Sequence, residues 1–170
     1  LKKTVTFYAS KAGLDIENLG EKNVDLLVEK GLVRDLADIY NLQKSDLLNL
    51  ERFGETSVNN LLGAIGSSKS PELSKFISAL GIRHIGGETA KLLAERFNKF
   101  ENICNATLEE LLEIDGIGKK VAESILAYFN DDENLRVLIK MFNLGVKVQN
   151  FAKNDGILSG KNFVITGTLK

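Results

Sequence analysis

Apolar residues recur along the chain at fixed distances from four glycines, which stand at positions 20, 54, 86 and 118. In every copy an apolar residue lies four and one positions before the glycine, and four and seven positions after it. In chain order these residues are Ile16, Leu19, Val24 and Leu27; Leu50, Phe53, Val58 and Leu61; Ile82, Ile85, Ala90 and Leu93; and Ile114, Ile117, Ala122 and Ile125. Because spacings of three and four residues place side chains on one helix face, each copy predicts a short helix, a tight turn and a second helix.

The four hairpins, numbered first to fourth in chain order, fall into two pairs. Segment 14–20 is similar to segment 80–86, and segment 47–50 is similar to segment 111–114. A single helical hairpin is too small to bury its apolar face, whereas two adjacent hairpins can share a core. We therefore predict an all-α fold in which the first and second hairpins form one pair and the third and fourth form another.

Local signals predict where several helices begin and end. Thr107, followed three residues later by Glu110, forms a capping box for the first helix of the fourth hairpin. Gly31 and Gly145 predict helix stops near residues 30 and 144, and Pro71 breaks the chain between the two pairs. Beyond residue 145 a polar linker leads to residues 161–169, whose β-branched side chains predict a strand. Because a lone strand is not stable, we expect it to begin a further domain.

Composition limits the kinds of site that the chain can hold. Its 22 basic and 23 acidic side chains nearly balance, so anion binding must depend on the placement of individual groups. Cys104 is the only cysteine and His84 the only histidine, which excludes an internal disulfide and an ordinary zinc site built within this chain. Cys104 is most simply a buried apolar residue. We find neither a membrane-spanning run nor a signal peptide, and expect a cytoplasmic location.

The fourth turn, which reads Gly116-Ile117-Gly118-Lys119-Lys120, predicts an anion site. Glycine permits a positive backbone φ or the close approach of another molecule. A helix that begins near Gly118 leaves its first amides unpaired at the positive end of the helix dipole, and the two lysines add charge. Phosphate is the expected guest. Contacts to phosphates carry no base-reading information, so we predict binding to a nucleic-acid backbone without sequence preference.

This turn resembles those of the helix-hairpin-helix family, whose hairpins bind the DNA backbone across the minor groove. The resemblance implies four helix-hairpin-helix motifs arranged as two pseudo-duplicated pairs, with a short C-terminal β-strand remnant. Only the fourth copy has both glycines, since Asn18, Arg52 and His84 replace the first, and turn geometry or contacts are expected to differ there. The implied DNA-binding residues are Asn18, Gly20, Lys22, Arg52, Gly54, Thr56, Arg83, His84, Gly86, Gly87, Gly116, Gly118, Lys119 and Lys120.

Simpler interpretations remain open at these positions. A glycine between two helices can be a C-cap or a packing device with no ligand, an interpretation favoured most at Gly20 and Gly54, which acidic residues follow. His84 can be a packed or capping residue, or a neutral donor of one hydrogen bond. Arg83 is the stronger candidate for a phosphate contact.

Three motifs that suggest catalysis lack the residues or the sequence context that their chemistry requires. Residues 153–156 read Lys-Asn-Asp-Gly and match the motif around the nucleophilic lysine of nucleotidyltransferases, but they lie in a polar linker without a pocket to lower the pKa of the lysine. The fourth turn lacks the third glycine of a dinucleotide fingerprint, and Asn162 stands where a P-loop requires Ser or Thr. No carboxylate pair or Ser/His/Asp set is apparent, so we predict no active site within this chain.

Over nearly its whole length the chain resembles the C-terminal half of bacterial NAD-dependent DNA ligases. The resemblance is carried by segments 14–22, 50–55 and 79–86 and by segment 158–169, which is similar to the first strand of a BRCT domain. It implies that the complete enzyme seals nicks in duplex DNA with NAD, a divalent metal and a structural zinc. The residues for those steps would lie outside this chain, whose implied role is to grip the duplex around the nick.

The predicted organisation and partners follow from this resemblance. We expect a segment that follows a zinc finger (1–13), a first hairpin pair (14–66), a linker (67–75), a second pair (76–145), a second linker (146–159) and the start of a BRCT-like domain (160–170). The expected partners are nicked double-stranded DNA and other domains of the same ligase, with no membrane contact and a monomeric state. Two alternatives remain open, a helical protein-interaction module without direct DNA contact and, less well matched, a nuclease-repair subunit that uses one hairpin pair.

Overall fold

The second helix of every hairpin begins directly after its repeat glycine. The computed structural model describes residues 1–151, and helices make up its regular secondary structure there. The α-helices are α1 Lys2–Ala9, α2 Glu21–Glu29, α3 Lys44–Leu48, α4 Glu55–Ser67, α5 Leu73–Ala79, α6 Gly87–Phe97, α7 Phe100–Cys104, α8 Leu108–Leu112, α9 Lys119–Phe129 and α10 Asp132–Asn143, and a 3₁₀ helix spans Leu36–Asn41. The predicted all-α class is confirmed. Among residues 1–151 no helix has both the length and the apolar character needed to cross a bilayer.

The repeated apolar positions form the core. All sixteen of them, four in each of four copies, are at most 9% exposed. The residue that stands four positions after the glycine is completely buried in every copy. They join one continuous hydrophobic cluster that runs through both hairpin pairs. The spacing that predicted the helices therefore also identifies the side chains that hold them together, because a helix has one face to bury.

The local signals for helix ends are confirmed. Thr107 Oγ1 accepts a hydrogen bond from the Glu110 amide at 3.1 Å, and the Glu110 carboxylate accepts one from the Thr107 amide at 2.9 Å. Gly31 and Gly145 follow the ends of α2 and α10 with φ of 75° and 105°, a left-handed conformation in which glycine has no steric cost.

Residues 1–13, predicted as a segment outside the hairpins, contribute to the core. Val5, Tyr8 and Ala9 of α1 are buried, and α1 packs against α2, α5 and the 3₁₀ helix. The Tyr8 hydroxyl lies 2.6 Å from that of Tyr40, an arrangement that satisfies two buried polar groups at once. The core therefore begins before residue 14.

The two predicted linkers contact each other. The amide of Lys147 donates to the carbonyl of Lys69 at 2.7 Å, and that of Gln149 donates to Pro71 at 2.9 Å, which makes a short parallel bridge around Glu72 and Gln149. Residues 67–75 are thus anchored by residues that follow the last hairpin. The end of the second linker, the Lys-Asn-Asp-Gly stretch 153–156 and the predicted β-strand remnant in 160–170 lie outside the described residues.

An ion-pair cluster joins the two halves of the fold. Lys140 of α10 approaches Asp38 of the 3₁₀ helix at 2.6 Å and Asp35 at 3.3 Å, and Arg136 approaches Asp35 at 3.1 Å. Asp38 is 4% exposed and also accepts a hydrogen bond from the Arg34 amide at 2.8 Å. Burial alone would raise the pKa of Asp38, but the hydrogen bonds from Lys140 and the Arg34 amide lower it below its ordinary value.

Candidate nucleic-acid interface

The four repeat glycines cap helices α2, α4, α6 and α9. Each has an extended backbone, with φ between −86° and −106°, and none of the four helices has a side-chain cap on its first amides. A Cβ built on any of the four would meet nothing within 4 Å. Neither backbone strain nor internal packing therefore requires glycine there. A glycine N-cap keeps the orphan amides of the first helical turn accessible to another molecule.

The position two residues before each glycine sets the shape of the turn. Asn18, His84 and Gly116 occupy it in the first, third and fourth turns with φ of 70°, 69° and 99°, whereas Arg52 in the second turn does not adopt the left-handed conformation. Asparagine and histidine are among the residues that tolerate this conformation best. The expected difference in geometry at the three replaced glycines is therefore present in the second turn only.

Gly116 has a packing role as well. A Cβ at this position would lie 3.1 Å from Leu92 Cδ1 of α6, so the fourth turn rests against the second helix of the third hairpin. Arg96 of α6 also approaches the Glu113 carboxylate at 3.3 Å. Gly116 thus combines a positive φ with close packing, because a Cβ there would require the Leu92 side chain to shift.

The first turn and the second hairpin border a common groove. Asp15, Glu17 and Asn18 share a groove with side chains of α4 and its C-terminal end, namely Asn60, Ala64 and Ser67. Gly13, which precedes this turn, has no room for a side chain because a Cβ would lie 2.3 Å from the Tyr8 carbonyl oxygen. The first and second hairpins thus border one groove, and the third and fourth hairpins approach each other at Gly116 and Leu92. The arrangement of the four hairpins as two pairs stays a prediction.

All fourteen predicted DNA-binding residues are exposed. Within residues 1–151 the basic ones among them, Lys22, Arg52, Arg83, Lys119 and Lys120, form no ion pair. The packed interpretation of His84 is wrong, since its side chain is exposed and its left-handed backbone serves the turn. These exposed cations are free to meet an anionic partner.

Some acidic residues near the turns have internal partners. Glu55 pairs with Lys44 at 3.1 Å, Glu88 with Lys91 at 3.7 Å and Glu113 with Arg96 at 3.3 Å. The sequence gives no signal for the roles of Lys44 and Arg96, because they lie 11 and 17 residues from their partners and no local pattern connects them. In the first turn, by contrast, Glu17 and Glu21 have no basic partner among the described residues.

Metal-binding groups and the reactivity of Cys104 can be assessed within the described residues. Residues 1–151 contain no group of three or more His, Cys, Asp or Glu side chains that could hold a metal ion. Burial raises the pKa of Cys104 to about 12, so the thiol stays protonated at neutral pH and is a poor nucleophile. Cys104 is half-buried against the core, close to its expected role as an apolar residue.

Comparison with known proteins identifies relatives for the whole chain. Residues 75–138, which include the third and fourth turns, match the family described as the helix-hairpin-helix motif. The chain is 46% identical to the DNA ligase of Geotalea uraniireducens and 42% identical to that of Chlamydia caviae, over 99% and 98% of its own length. The chain is homologous to a segment of DNA ligase. It spans about a quarter of the length of these ligases, 25% in both cases.

The relationship to DNA ligase confirms the resemblance seen in the sequence. A third relative, the DNA ligase of a Thermoanaerobacter species, is 39% identical over the entire chain. The helix-hairpin-helix match covers the second pair, so the assignment of the first and second hairpins to that family stays a prediction. NAD dependence and the BRCT-like segment also stay predictions.

Proposed function

We propose that this chain is the duplex-DNA-binding segment of an NAD-dependent DNA ligase, and that it grips the sugar-phosphate backbone around a nick without reading sequence. The observation that carries the proposal is the recurrence of four exposed, glycine-capped helix N-termini on one hydrophobic repeat. Each offers unpaired amides to an oxyanion, and the fourth adds Lys119 and Lys120. The homology to DNA ligases makes a nicked duplex the partner of choice.

The proposal separates DNA binding from chemistry. NAD, a divalent metal and a structural zinc would serve the complete enzyme, but residues 1–151 have no ligand set for a metal ion. The role of this segment is to bind and orient the duplex while other domains of the same chain act on the nick. With a net charge of −1, the isolated segment should bind weakly, with a Kd of about 1 µM or higher at physiological salt. Tethering to the remaining domains would raise the effective concentration of DNA at these turns.

The test is a titration of a fluorescently labelled nicked duplex with the chain, followed by anisotropy at low and moderate salt, with single-stranded DNA as competitor. Lys119→Glu with Lys120→Glu should weaken duplex binding about tenfold or more, because two cations at the fourth turn become anions. Lys3→Glu with Lys147→Glu makes the same change in net charge at exposed positions outside the turns and should have a smaller effect. Equal binding by the Lys119/Lys120 variant and the unmodified chain would falsify the phosphate role of the fourth turn.

A second candidate function, a protein-interaction module, is favoured by the first turn. Asp15 and Glu17 line the groove beside α4, and acidic side chains there repel DNA and attract a basic partner. This function predicts no salt-sensitive binding to duplex DNA even at low salt. The unmodified chain in the anisotropy titration therefore distinguishes the two functions before any variant is made.

A further inference from the structure

Helix α10 follows the second hairpin pair along the chain but reaches back to the first. The elements of the two halves, residues 1–67 and 73–143, meet chiefly where α10 packs against the 3₁₀ helix and where α1 packs against α5. The chain itself crosses from one half to the other once, at residues 68–72. The orientation of one hairpin pair relative to the other therefore depends on these three connections.

Aromatic packing and a hydrogen bond hold α10 on the second half. The ring centroid of Phe142 lies 5.7 Å from that of Phe100 and 6.4 Å from that of Phe76. At the other end of α10, the side-chain amide of Asn134 donates to the carbonyl of Tyr128, near the end of α9, at 3.2 Å. Both ends of α10 are thus attached to the half that precedes it in the chain.

A different face of α10 reaches the first half, and it does so with charged side chains. Arg136 and Lys140 are four residues apart and share one side of the helix. Because each residue advances a helix by about 100°, Phe142 lies on nearly the opposite side from Lys140. Lys140 lies 2.6 Å from Asp38, and Arg136 lies 3.1 Å from Asp35, the N-cap of the 3₁₀ helix. Cations of α10 therefore contact the first half, and an aromatic ring contacts the second.

A cleft of about 170 Å³ lies beside this ion-pair cluster, between the two halves. Its lining includes Leu36 of the 3₁₀ helix, Thr4 of α1, Leu80 and Tyr128 of the second half and Val137 of α10. Side chains that leave such a space between them have fewer van der Waals contacts than close-packed ones. The joint between the halves is therefore packed less closely than the core of either pair, and the ion pairs contribute a larger share of its strength.

The linker between the halves is anchored by the segment that follows α10. The amides of Lys147 and Gln149 donate to the carbonyls of Lys69 and Pro71, and the Gln149 side chain donates to the carbonyl of Ser70 at 2.8 Å. Residues 68–72 are thus held at a fixed place on the second half. A rotation of one half against the other would be a hinge motion about this linker.

We propose that α10 is a latch, whose ion pairs with the start of the 3₁₀ helix fix the orientation of the first hairpin pair relative to the second. Without these ion pairs the halves turn about residues 68–72 while each half keeps its own helices. Asp38, which is 4% exposed, explains the direction of the change. A buried carboxylate without its cation is costly, and it reaches water when the 3₁₀ helix leaves α10. The latch concerns the orientation of the pairs, and it holds whether or not the turns bind phosphate.

Charge reversal on α10 tests the latch. Arg136→Glu with Lys140→Glu places two carboxylates opposite the two aspartates of the cluster, so that the halves repel each other there. Lys11→Glu with Lys99→Glu makes the same change in net charge at exposed positions that form no ion pair within residues 1–151, and is the matched control. Circular dichroism shows whether each variant keeps its helices.

The distance between the halves is measured by double electron–electron resonance. Spin labels are attached at Asn59→Cys on α4 and Glu123→Cys on α9, two exposed positions that each lie five residues after a repeat glycine. Cys104→Ala removes the native thiol from all samples. We expect a narrow distance distribution in the labelled parent and in the control, and a distribution about twofold broader or more in the latch variant.

An unchanged distribution in a latch variant that keeps its helices would overturn the proposal, and so would equal broadening in the control. If charge reversal unfolds the chain, Lys140→Gln removes one cation of the cluster without adding repulsion, and it should broaden the distribution to a smaller extent. A folded Lys140→Gln variant with the distribution of the parent would then overturn the latch. These measurements contain no DNA, so their outcome is separate from the test of the proposed function.

Discussion

The first and second hairpin pairs share one hydrophobic pattern but differ in the residues that the pattern leaves exposed. Their sixteen repeated apolar positions are buried alike, and all four capping glycines have the same extended backbone. The differences lie in the turns: within residues 1–151 unpaired Glu17 and Glu21 stand beside Lys22 in the first turn, whereas the fourth turn has the adjacent unpaired cations Lys119 and Lys120. Burial therefore maintains the fold in both copies, while the exposed turn residues are free to specialise.

A substitution in the ion-pair cluster that joins the two hairpin pairs should have the largest effect on stability. Asp38→Asn leaves an amide where Lys140 and the Arg34 amide both need an acceptor, so we expect the free energy of unfolding to fall by about 2–3 kcal/mol. Urea unfolding measures it. Glu123→Gln, an exposed change of the same charge on α9, is the matched control and should cost less than about 0.5 kcal/mol. Similar decreases in the free energy of unfolding in both variants would contradict a special role of this ion-pair cluster.

The same variant has a defined dependence on pH. The pKa of Asp38 is lowered in the folded state, so its ionised form stabilises the fold at any pH above the unfolded pKa of about 4. As pH falls below that value, the parent loses this contribution on approaching the folded pKa. The difference in stability between the parent and Asp38→Asn should therefore be constant near neutral pH and shrink below about pH 4.

Alanine substitutions at the position two residues before the capping glycine allow the four turns to be compared. Gly116→Ala should destabilise the fold by about 2 kcal/mol, because alanine at a φ of 99° is strained and its Cβ would crowd Leu92. Asn18→Ala and His84→Ala should cost about 1 kcal/mol each, since both residues adopt the left-handed conformation. Arg52→Ala should cost less than about 0.5 kcal/mol. Urea unfolding of the four variants tests this order, and a cost for Arg52→Ala equal to that for Asn18→Ala would contradict it.

How far the sequence predicts this molecule depends on the range of the interaction. The helices, the buried repeat positions and the Thr107 capping box follow from residues a few positions apart, and all are confirmed. The ion pair of Lys44 with Glu55 and the contact of Leu92 with Gly116 join residues that are distant in sequence. No period or local motif encodes them, because they depend on how finished helices pack against each other.

At the candidate site, too, the sequence predicted the local features but not those that depend on the surrounding structure. Glycine recurrence predicted the positions of the four turns, and every predicted contact residue is exposed. The sequence did not distinguish Asn18 and His84, which keep the left-handed backbone, from Arg52, which does not. Each of the three replaces a glycine, and the conformation at each turn depends on its surroundings as well as on the intrinsic tolerance of the residue.

The smallest effects are expected from substitutions at equivalent helix starts in the two hairpin pairs. Thr107 caps α8 with its side chain, whereas Gln43, 64 positions earlier in the corresponding helix α3, provides no side-chain cap. Thr107→Ala should lower the free energy of unfolding by about 1 kcal/mol, because the Glu110 amide loses its acceptor. Gln43→Thr should raise it by about 0.5 kcal/mol, since a threonine there can cap the first turn of α3.

Thermal and urea unfolding of these two variants and of their combination measure both effects. The two sites lie in different hairpin pairs, so their effects should add to within about 0.5 kcal/mol. An increase in the free energy of unfolding for Gln43→Thr would show that α3 of the first pair lacks only a side-chain N-cap. A loss would mean that the surroundings of α3 favour glutamine, whose side chain donates a hydrogen bond to the Asn41 carbonyl at 3.1 Å. In that case the two pairs would differ in packing around this helix as well as in their turns.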